Sequence, residues 1–270
     1  MTSLAVGLAL GAALLHAAWN IRLKSAADPL SVAAVAVPVG TLLLTPFIVA
    51  AWLGAGRPGL PWQAWALAAA SGLVELAYFH ALSGAYRRGD VSAVYPVARG
   101  TAPVIAALVG LFALHEHLTA VQALGVAVLI AGIWLARPPL GSRPALLPAL
   151  LTGVLIAIYT SIDRLGVRLG PFWLYVWAVF VATSSVLLPW ARTRLLGEAL
   201  PVGVLTVGAY GLVLAALSLA PLALVAPLRE SGVVVVSLWG ILKMGERDRA
   251  RLKLGGAAAV LTGATLLTVG

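Results

Sequence analysis

Apolar runs follow one another along almost the whole chain, and they constrain the fold more than any other feature of the sequence. Each run is bounded by charged residues or by proline and glycine, and only 10% of the 270 residues are charged. A soluble domain carries about 25% charged residues, so a membrane is the environment that suits this composition. A run of about 20 apolar residues is long enough to cross a bilayer as a helix. We therefore predict an all-α membrane protein.

The sequence contains ten such runs, joined by connections too short for a soluble domain. The predicted spans are 3–22, 31–53, 62–84, 92–113, 120–136, 145–166, 171–191, 200–219, 222–243 and 253–269. The first run lacks the positive start and the small-residue cleavage site of a secretion signal. We therefore expect it to be a transmembrane span.

Lysine and arginine are distributed unevenly over the predicted loops. Thirteen lie after odd-numbered spans, three lie on the other side, and Arg99 and Arg229 fall inside spans. Such an excess marks the cytoplasmic side, so both termini are expected outside, in a multi-pass protein of a prokaryotic plasma membrane. The net charge of +9 does not indicate nucleic-acid binding, because the cations stand singly or in pairs at the ends of apolar runs.

The second half of the sequence resembles the first. VSAVYPVARG, which begins at Val91, aligns with LALVAPLRES, which begins at Leu222, so that Pro96 matches Pro227. Each copy, 1–136 and 145–270, holds five predicted spans. Because five is odd, the second copy enters the membrane from the opposite side. The expected fold is ten transmembrane helices, arranged as two inverted five-helix repeats around a central cavity.

Three features make the chain similar to the drug/metabolite transporter superfamily, in its EamA-type ten-span branch. Small residues and a proline open spans 4 and 9, a glutamate follows each of them (HEHLT and GERDR), and HAAWNIRLK closes span 1. His115 stands where that family often has glycine. The resemblance implies that spans 1, 3, 4, 6, 8 and 9 line the cavity. It also implies export or exchange of small metabolites.

Charged residues inside spans are candidates for the substrate site. A charge near the centre of a bilayer costs several kcal/mol unless it faces water or a partner. Arg99 and Arg229 either hold an anionic group of the substrate, or pair with Glu75 and Glu230 to tie helices together. Glu75 either carries a coupling proton or balances Arg99.

Polar residues one helical turn apart are the second group of candidates. His16 and Asn20 have this spacing on span 1, and Tyr159 and Asp163 have it on span 6. Such pairs either line a cavity or form hydrogen bonds between helices. The candidate substrate-binding residues are Arg99, Arg229, Glu75, Glu230, His16, Asn20, Tyr95, Tyr159, Trp19 and Tyr78.

Several functions are disfavoured by missing motifs. The chain has no cysteine, and His115, Glu116 and His117 occupy one tight turn with too few further ligands nearby for a metal site. Glu116 and Glu246 are instead expected to cap the N-termini of spans 5 and 10. No phosphate-binding loop, hydrolase elbow or metalloprotease motif is found. We therefore expect no enzyme and no cofactor.

The sequence favours a secondary transporter of a small polar metabolite, such as an amino acid or a related carboxylate, working by alternating access. The alternative on the same fold is a flippase for a lipid or polyprenyl carrier. Small residues in span 10 (GGAAAVLTG) allow close helix packing, and the protein is expected to be a monomer or a homodimer.

Overall fold

The computed structural model describes residues 3–89, 91–136, 143–232, 234–235 and 250–269, and every regular element in these ranges is helical. The α-helices are α1 (Ser3–Lys24), α2 (Pro29–Gly54), α3 (Trp62–Arg88), α4 (Val91–Leu108), α5 (Ala120–Ala136), α6 (Arg143–Gly166), α7 (Phe172–Leu187), α8 (Leu196–Leu219), α9 (Leu222–Arg229) and α10 (Ala250–Val269). A π-helical segment, Val109–Ala113, extends α4. Apart from span 9, each predicted span matches a helix to within about four residues.

Length and apolar composition agree with a membrane location. In the described part of the chain, six helices are long and apolar enough to cross a bilayer: α1, α2, α3, α6, α7 and α8. Shorter apolar helical stretches lie within α4 with its π-helical extension, α5 and α10. The molecule is therefore a multi-pass, all-helical membrane protein.

The ninth helix is interrupted, contrary to the continuous span predicted over 222–243. It ends at Arg229, and the chain turns at Glu230 and Ser231. The amide of Glu230 donates to the Pro227 carbonyl, three residues back, at 3.0 Å, so the last turn has tightened to 3₁₀ geometry. Residues 236–249, which include the rest of span 9 and Glu246, lie outside the described ranges.

The fourth helix behaves differently although it also contains proline. Pro96 and Pro103 each remove a backbone donor from the helix, yet α4 keeps α-helical geometry through both prolines. The irregular turn comes after the helix, in the π-helical segment.

The helices pack in matching pairs. Helix α1 contacts α8 and α9, while α6 contacts α3 and α4; α2 also packs on α7, α4 on α9, and α5 on α10. Between α2 and α7, the Thr41 and Ser184 hydroxyls lie 3.1 Å apart, and Trp177 Nε1 donates to Thr45 Oγ1 at 3.0 Å. Residue numbers rise along α2 as they fall along α7, so these two helices are antiparallel.

Helices α5 and α10 meet along a seam of glycines. Gly125 lies against Gly263, and Gly132 lies against Gly256, which again makes the pair antiparallel. A Cβ atom added to Gly132 would lie only 2.7 Å from the Gly256 carbonyl oxygen. Glycine is therefore required for this approach, and this small-residue side of α10 is covered by α5.

Candidate functional site

Two arginines and one glutamate form a buried cluster where α4 meets α9. Arg99 Nη1 donates to both carboxylate oxygens of Glu230 at 3.2 Å, and Arg229 Nε donates to Glu230 Oε1 at 3.0 Å. All three residues are no more than 2% exposed. The predicted candidates Arg99, Arg229 and Glu230 thus share one site.

The position of this cluster follows from the interruption of α9. Arg229 is the last residue of the helix and Glu230 is its C-cap, so both side chains leave from the break. Arg229 Nη1 also donates to Thr160 Oγ1 of α6 at 3.3 Å. Because Glu230 accepts from two cations, it is ionised, and the cluster carries a net charge of +1 in a buried place.

A second polar cluster lies between α3, α6, α7 and α8. Glu75 accepts a hydrogen bond from Thr183 Oγ1 at 2.5 Å, and Asp163 accepts from the Tyr175 hydroxyl at 2.8 Å and from the Tyr210 hydroxyl. Glu75 is 7% exposed and Asp163 is fully buried. These carboxylates are therefore held by hydroxyl groups.

Glu75 does not pair directly with Arg99, which was one interpretation of the sequence. The close packing of α3 on α7 explains its actual partner. A Cβ atom added to Gly72 would lie 2.9 Å from the Thr183 amide nitrogen. This approach brings the Thr183 hydroxyl to Glu75, which lies one turn further along α3.

Aromatic rings from different helices meet beside these clusters. Tyr159 of α6 makes edge-to-face contacts with Tyr78 of α3 and Tyr210 of α8, at ring-centroid distances of 5.6 and 5.5 Å. Tyr78 and Tyr159 are buried, yet neither hydroxyl has a hydrogen-bond partner within the described residues. Each is therefore a donor that a ligand can use.

The candidates on α1 have two different roles. His16 Nδ1 accepts a hydrogen bond from Trp19 Nε1 at 2.8 Å, so the imidazole proton is on Nε2. His16 Nε2 is buried without a partner in the described structure. Asn20 donates to the His16 carbonyl and accepts from the Tyr86 hydroxyl, at 2.8 and 2.9 Å, and so ties α1 to α3.

The side chain of one predicted candidate lies outside the described part of the structure, and several hydroxyl groups belong to the site although they were not predicted. Tyr95 belongs to α4, but its side chain lies outside the described part. The sequence did not single out Thr160, Thr183, Tyr175 or Tyr210, because single hydroxyl groups are common in membrane helices. Asp163 is easier to recognise from the sequence, because a carboxylate inside an apolar span is rare. Glu75 stands out for the same reason.

Glu116 closes the start of α9 at one end of the molecule. Its carboxylate accepts from the amides of Leu222 and Ala223, at 2.8 and 2.9 Å, and from Arg164 Nε at 3.0 Å. Arg164 Nη1 donates in turn to the Leu217 carbonyl at the end of α8. We call the pair Glu116–Arg164 the end clamp.

The sequence predicted that Glu116 caps span 5, and this was wrong. The start of α5 is already satisfied by a reciprocal pair: the Gln122 amide donates to Thr119 Oγ1 at 3.2 Å, and the Thr119 amide donates to Gln122 Oε1 at 3.1 Å. His115, the residue before Glu116, has a φ of +52°. Glycine adopts that conformation without strain, whereas a residue with a side chain does so less readily.

The linings of two cavities do not include Arg99, Arg229 or Glu230. One cavity, of about 350 Å³, is lined mainly by apolar side chains of α1 and α10, and also by Ser231 and Gly232, which directly follow Glu230. The other, of about 440 Å³, lies near Arg57 and is lined by Trp52, Trp65 and Trp177. The arginine cluster is itself closed to solvent, so a ligand reaches it only after the helices move. Within the described ranges, no group of three His, Asp or Glu residues could hold a metal ion.

A polytopic helical membrane protein with paired charges buried between its helices has the features of a transporter. Residues 3–137 match the model of the EamA-like transporter family, and the chain belongs to this family, within the drug/metabolite transporter superfamily. It is therefore a membrane transporter of a small molecule.

Comparison with solved structures supports the fold. A structure titled "Crystal structure of protein" is 18% identical in sequence and superposes with a TM-score of 0.74, over 100% of this chain and 99% of that chain. At this identity the likeness concerns the fold alone. No curated protein sequence matches this chain.

Proposed function

We propose that this protein is a secondary transporter that exports or exchanges a small metabolite bearing a carboxylate, with Arg99 and Arg229 as the groups that bind it. The observation that carries this proposal is the buried cluster in which two arginines share a single carboxylate, Glu230. A second carboxylate neutralises the net charge of +1. Buried charges are stable only when they are paired in this way.

The geometry of the cluster favours a carboxylate as the group recognised. A guanidinium presents parallel N–H donors that match the two oxygens of a carboxylate. Glu230 already occupies donors of both arginines, so an incoming carboxylate takes over part of its bonds while the cluster stays paired. The unpartnered hydroxyls of Tyr78 and Tyr159 supply further donors for polar groups of the substrate. A lipid-carrier diphosphate has more negative charge than the cluster offers, which disfavours the flippase alternative.

Alternating access follows from the proposed arrangement of two inverted repeats. Helices α2 and α7 occupy equivalent places in the two halves and are antiparallel, as are α5 and α10. A two-fold axis in the membrane plane produces antiparallel pairs, whereas an axis along the membrane normal produces parallel ones. We infer that the halves rock against each other about this axis and expose the cluster to each side in turn.

Corresponding contacts in the two halves support the same arrangement. Lys24 Nζ donates to the Tyr86 carbonyl at the end of α3, and Arg164 donates to the Leu217 carbonyl at the end of α8. Tyr86 and Leu217 are 131 positions apart, the same spacing as Pro96 and Pro227. One cation thus holds the end of the equivalent helix in each half.

The proposed orientation keeps odd-numbered loops in the cytoplasm of a prokaryotic cell. Contacts between loops agree with loops sorted to two sides: Arg192 and Asp28, 3.9 Å apart, both belong to odd-numbered loops. The end clamp joins elements of the other side. Labelling of an engineered cysteine at Gly270 from the cytoplasmic side alone would overturn this orientation.

Exchange measurements in liposomes test the proposal. Purified protein is assayed for exchange of radiolabelled amino acids, monocarboxylates and dicarboxylates. In parallel, movement of a fluorescent polyprenyl phosphate across the bilayer tests the flippase alternative. For the carboxylate that exchanges, Arg99→Lys is expected to slow exchange by at least about tenfold. A tenfold change corresponds to about 1.4 kcal/mol, which is about the free energy of one good hydrogen bond. Lysine keeps the charge but lacks the planar fork.

The matched control is Arg57→Lys, which makes the same chemical change at an exposed site. It should exchange at the wild-type rate, and all variants should melt normally in detergent. Unchanged exchange in Arg99→Lys, or movement of the polyprenyl phosphate alone, contradicts the proposed function.

A further inference from the structure

The buried charges at the centre of the described structure do not balance when every carboxylate is ionised. The arginine cluster contributes +1, since Arg99 and Arg229 share Glu230. Glu75 and Asp163 together would contribute −2. Among the described residues the sum of −1 has no buried counter-charge, and an unbalanced buried charge is strongly unfavourable.

Other buried ionisable groups do not remove this excess. His16 accepts a hydrogen bond from the Trp19 indole, which can only donate, so the imidazole is neutral. Arg164 is paired with Glu116 in the end clamp, and that pair sums to zero. The groups that face Glu75 and Asp163 from neighbouring helices are Ser71 and Tyr78 on α3, Tyr159 on α6, Tyr175 and Thr183 on α7, Tyr210 on α8, and Arg229 on α9.

One bound proton restores neutrality, and the hydrogen bonds indicate where it is held. Asp163 accepts from two tyrosine hydroxyls, one on each oxygen, which stabilises its ionised form. Within the described residues, Glu75 accepts a hydrogen bond only from Thr183, on Oε2. Its other oxygen, Oε1, has no partner there, although Glu75 is only 7% exposed. A proton on Oε1 makes the side chain neutral, and a neutral carboxyl group needs no cation beside it.

We propose that Glu75 binds one proton in this closed state, and that the ionised Asp163 is what keeps the proton there. The role assigned to this proton rests on the proposed transport function, since the proton is then the coupling ion. Because the centre must stay neutral, the charge of the substrate determines how many protons are bound with it. A zwitterionic substrate leaves the single proton in place, a monocation displaces it, and a monocarboxylate requires a second proton. A monocarboxylate is therefore carried together with one proton.

Infrared spectroscopy of the purified protein tests the site without any substrate. At neutral pH the wild type should show the C=O stretch of one protonated carboxyl group, and alkaline pH should abolish it. The variant Glu75→Gln, which is isosteric with the protonated side chain, should lose this band completely. The control Glu198→Gln, at an exposed residue of α8, should retain it.

Asp163→Asn separates charge balance from simple burial. Without the charge of Asp163 the centre is neutral with Glu75 ionised, so this variant should also lose the band at neutral pH. If burial alone protonated Glu75, the band would persist in Asp163→Asn, and the proposal would be overturned. A wild-type protein without the band, or a band unaffected by Glu75→Gln, overturns it as well. Because no substrate is involved, these results stand whether or not liposomes exchange any carboxylate.

Discussion

The arginine cluster and the end clamp both use one buried glutamate, but they leave different charges behind. Glu230 accepts from Arg99 and Arg229, so its cluster keeps a net charge of +1. Glu116 accepts from one arginine and from two backbone amides at the start of α9. The clamp is therefore neutral and complete.

The proposed roles of the two sites therefore differ: the arginine cluster binds the substrate, and the end clamp stabilises the fold. A neutral pair has no excess charge to offer a ligand, and it stabilises the arrangement of α6, α8 and α9. A cluster with one positive charge in excess can pair with a further carboxylate. We expect substitutions in the clamp to alter stability, and substitutions that remove a charge from the arginine cluster to alter both stability and transport.

Glu230→Gln should have the largest effect, because it removes the carboxylate that two buried guanidinium groups share. Breaking a buried ion pair costs about 3–5 kcal/mol. Thermal unfolding in detergent, compared with Glu198→Gln, measures this loss. A second change, Arg99→Gln in the Glu230→Gln background, should recover part of it by removing one of the two buried positive charges. Wild-type melting of Glu230→Gln would refute the pairing.

Glu116→Ala should destabilise the protein by about 2–3 kcal/mol, because charged hydrogen bonds to Arg164 and to two amides are lost together. Unlike the previous variant, it should retain affinity for the carboxylate substrate. Melting curves and equilibrium binding, measured on the same preparation, distinguish the two. A loss of affinity without a loss of stability would place Glu116 in the binding site.

Lys24→Ala tests the cation that corresponds to Arg164 in the other half. Lys24 Nζ donates to the carbonyls of Tyr86 and Gly89 at 2.8 and 3.0 Å, near the C-terminus of α3, where a cation is favourable. Because both acceptors are neutral, the expected loss is only about 1 kcal/mol. The same detergent melting assay applies, and a loss as large as that of Glu116→Ala would contradict the comparison.

Asp28 offers the smallest effect, with a dependence on pH. A hydrogen bond from the Ser31 hydroxyl lowers the pKa of Asp28, which caps α2. A lowered pKa in the folded state adds stability at neutral pH, and that stability is lost as the pH falls through this value. Asp28→Ala should lose about 1 kcal/mol at neutral pH and less in acid. Asp28→Asn keeps a capping oxygen but not the charge, so its stability should depend less on pH than that of the wild type. A pH-independent difference between wild type and Asp28→Ala would argue against this role.

Much of the fold could be predicted because membrane helices are specified locally. Apolar length gives the spans, so helices such as α5 were predicted residue for residue. Partners that depend on packing could not be predicted in the same way. Glu75 is bonded to Thr183 because Gly72 lets α3 approach α7, and a contact between distant parts of the sequence has no local signal.

The arginine cluster was partly accessible from the sequence. Arginine inside a span needs a partner or water, and this indicated Arg99, Arg229 and nearby carboxylates. Which carboxylate takes which partner depends on where α9 breaks, and proline alone does not decide this. Pro227 precedes an interruption in α9, while Pro96 and Pro103 leave α4 helical.

The glycine seam between α5 and α10 fixes the distance between these two helices, so the pair can serve as a reference for measuring the motion of other helices. Backbones this close cannot slide past each other without clashes between main-chain atoms, so the two helices move as one body. Spectroscopic probes at Leu124 of α5 and Leu261 of α10, both exposed, should keep a constant separation through a transport cycle. Distances from either probe to a third probe on α1 or α6 then report the movement of the remaining helices against a fixed frame.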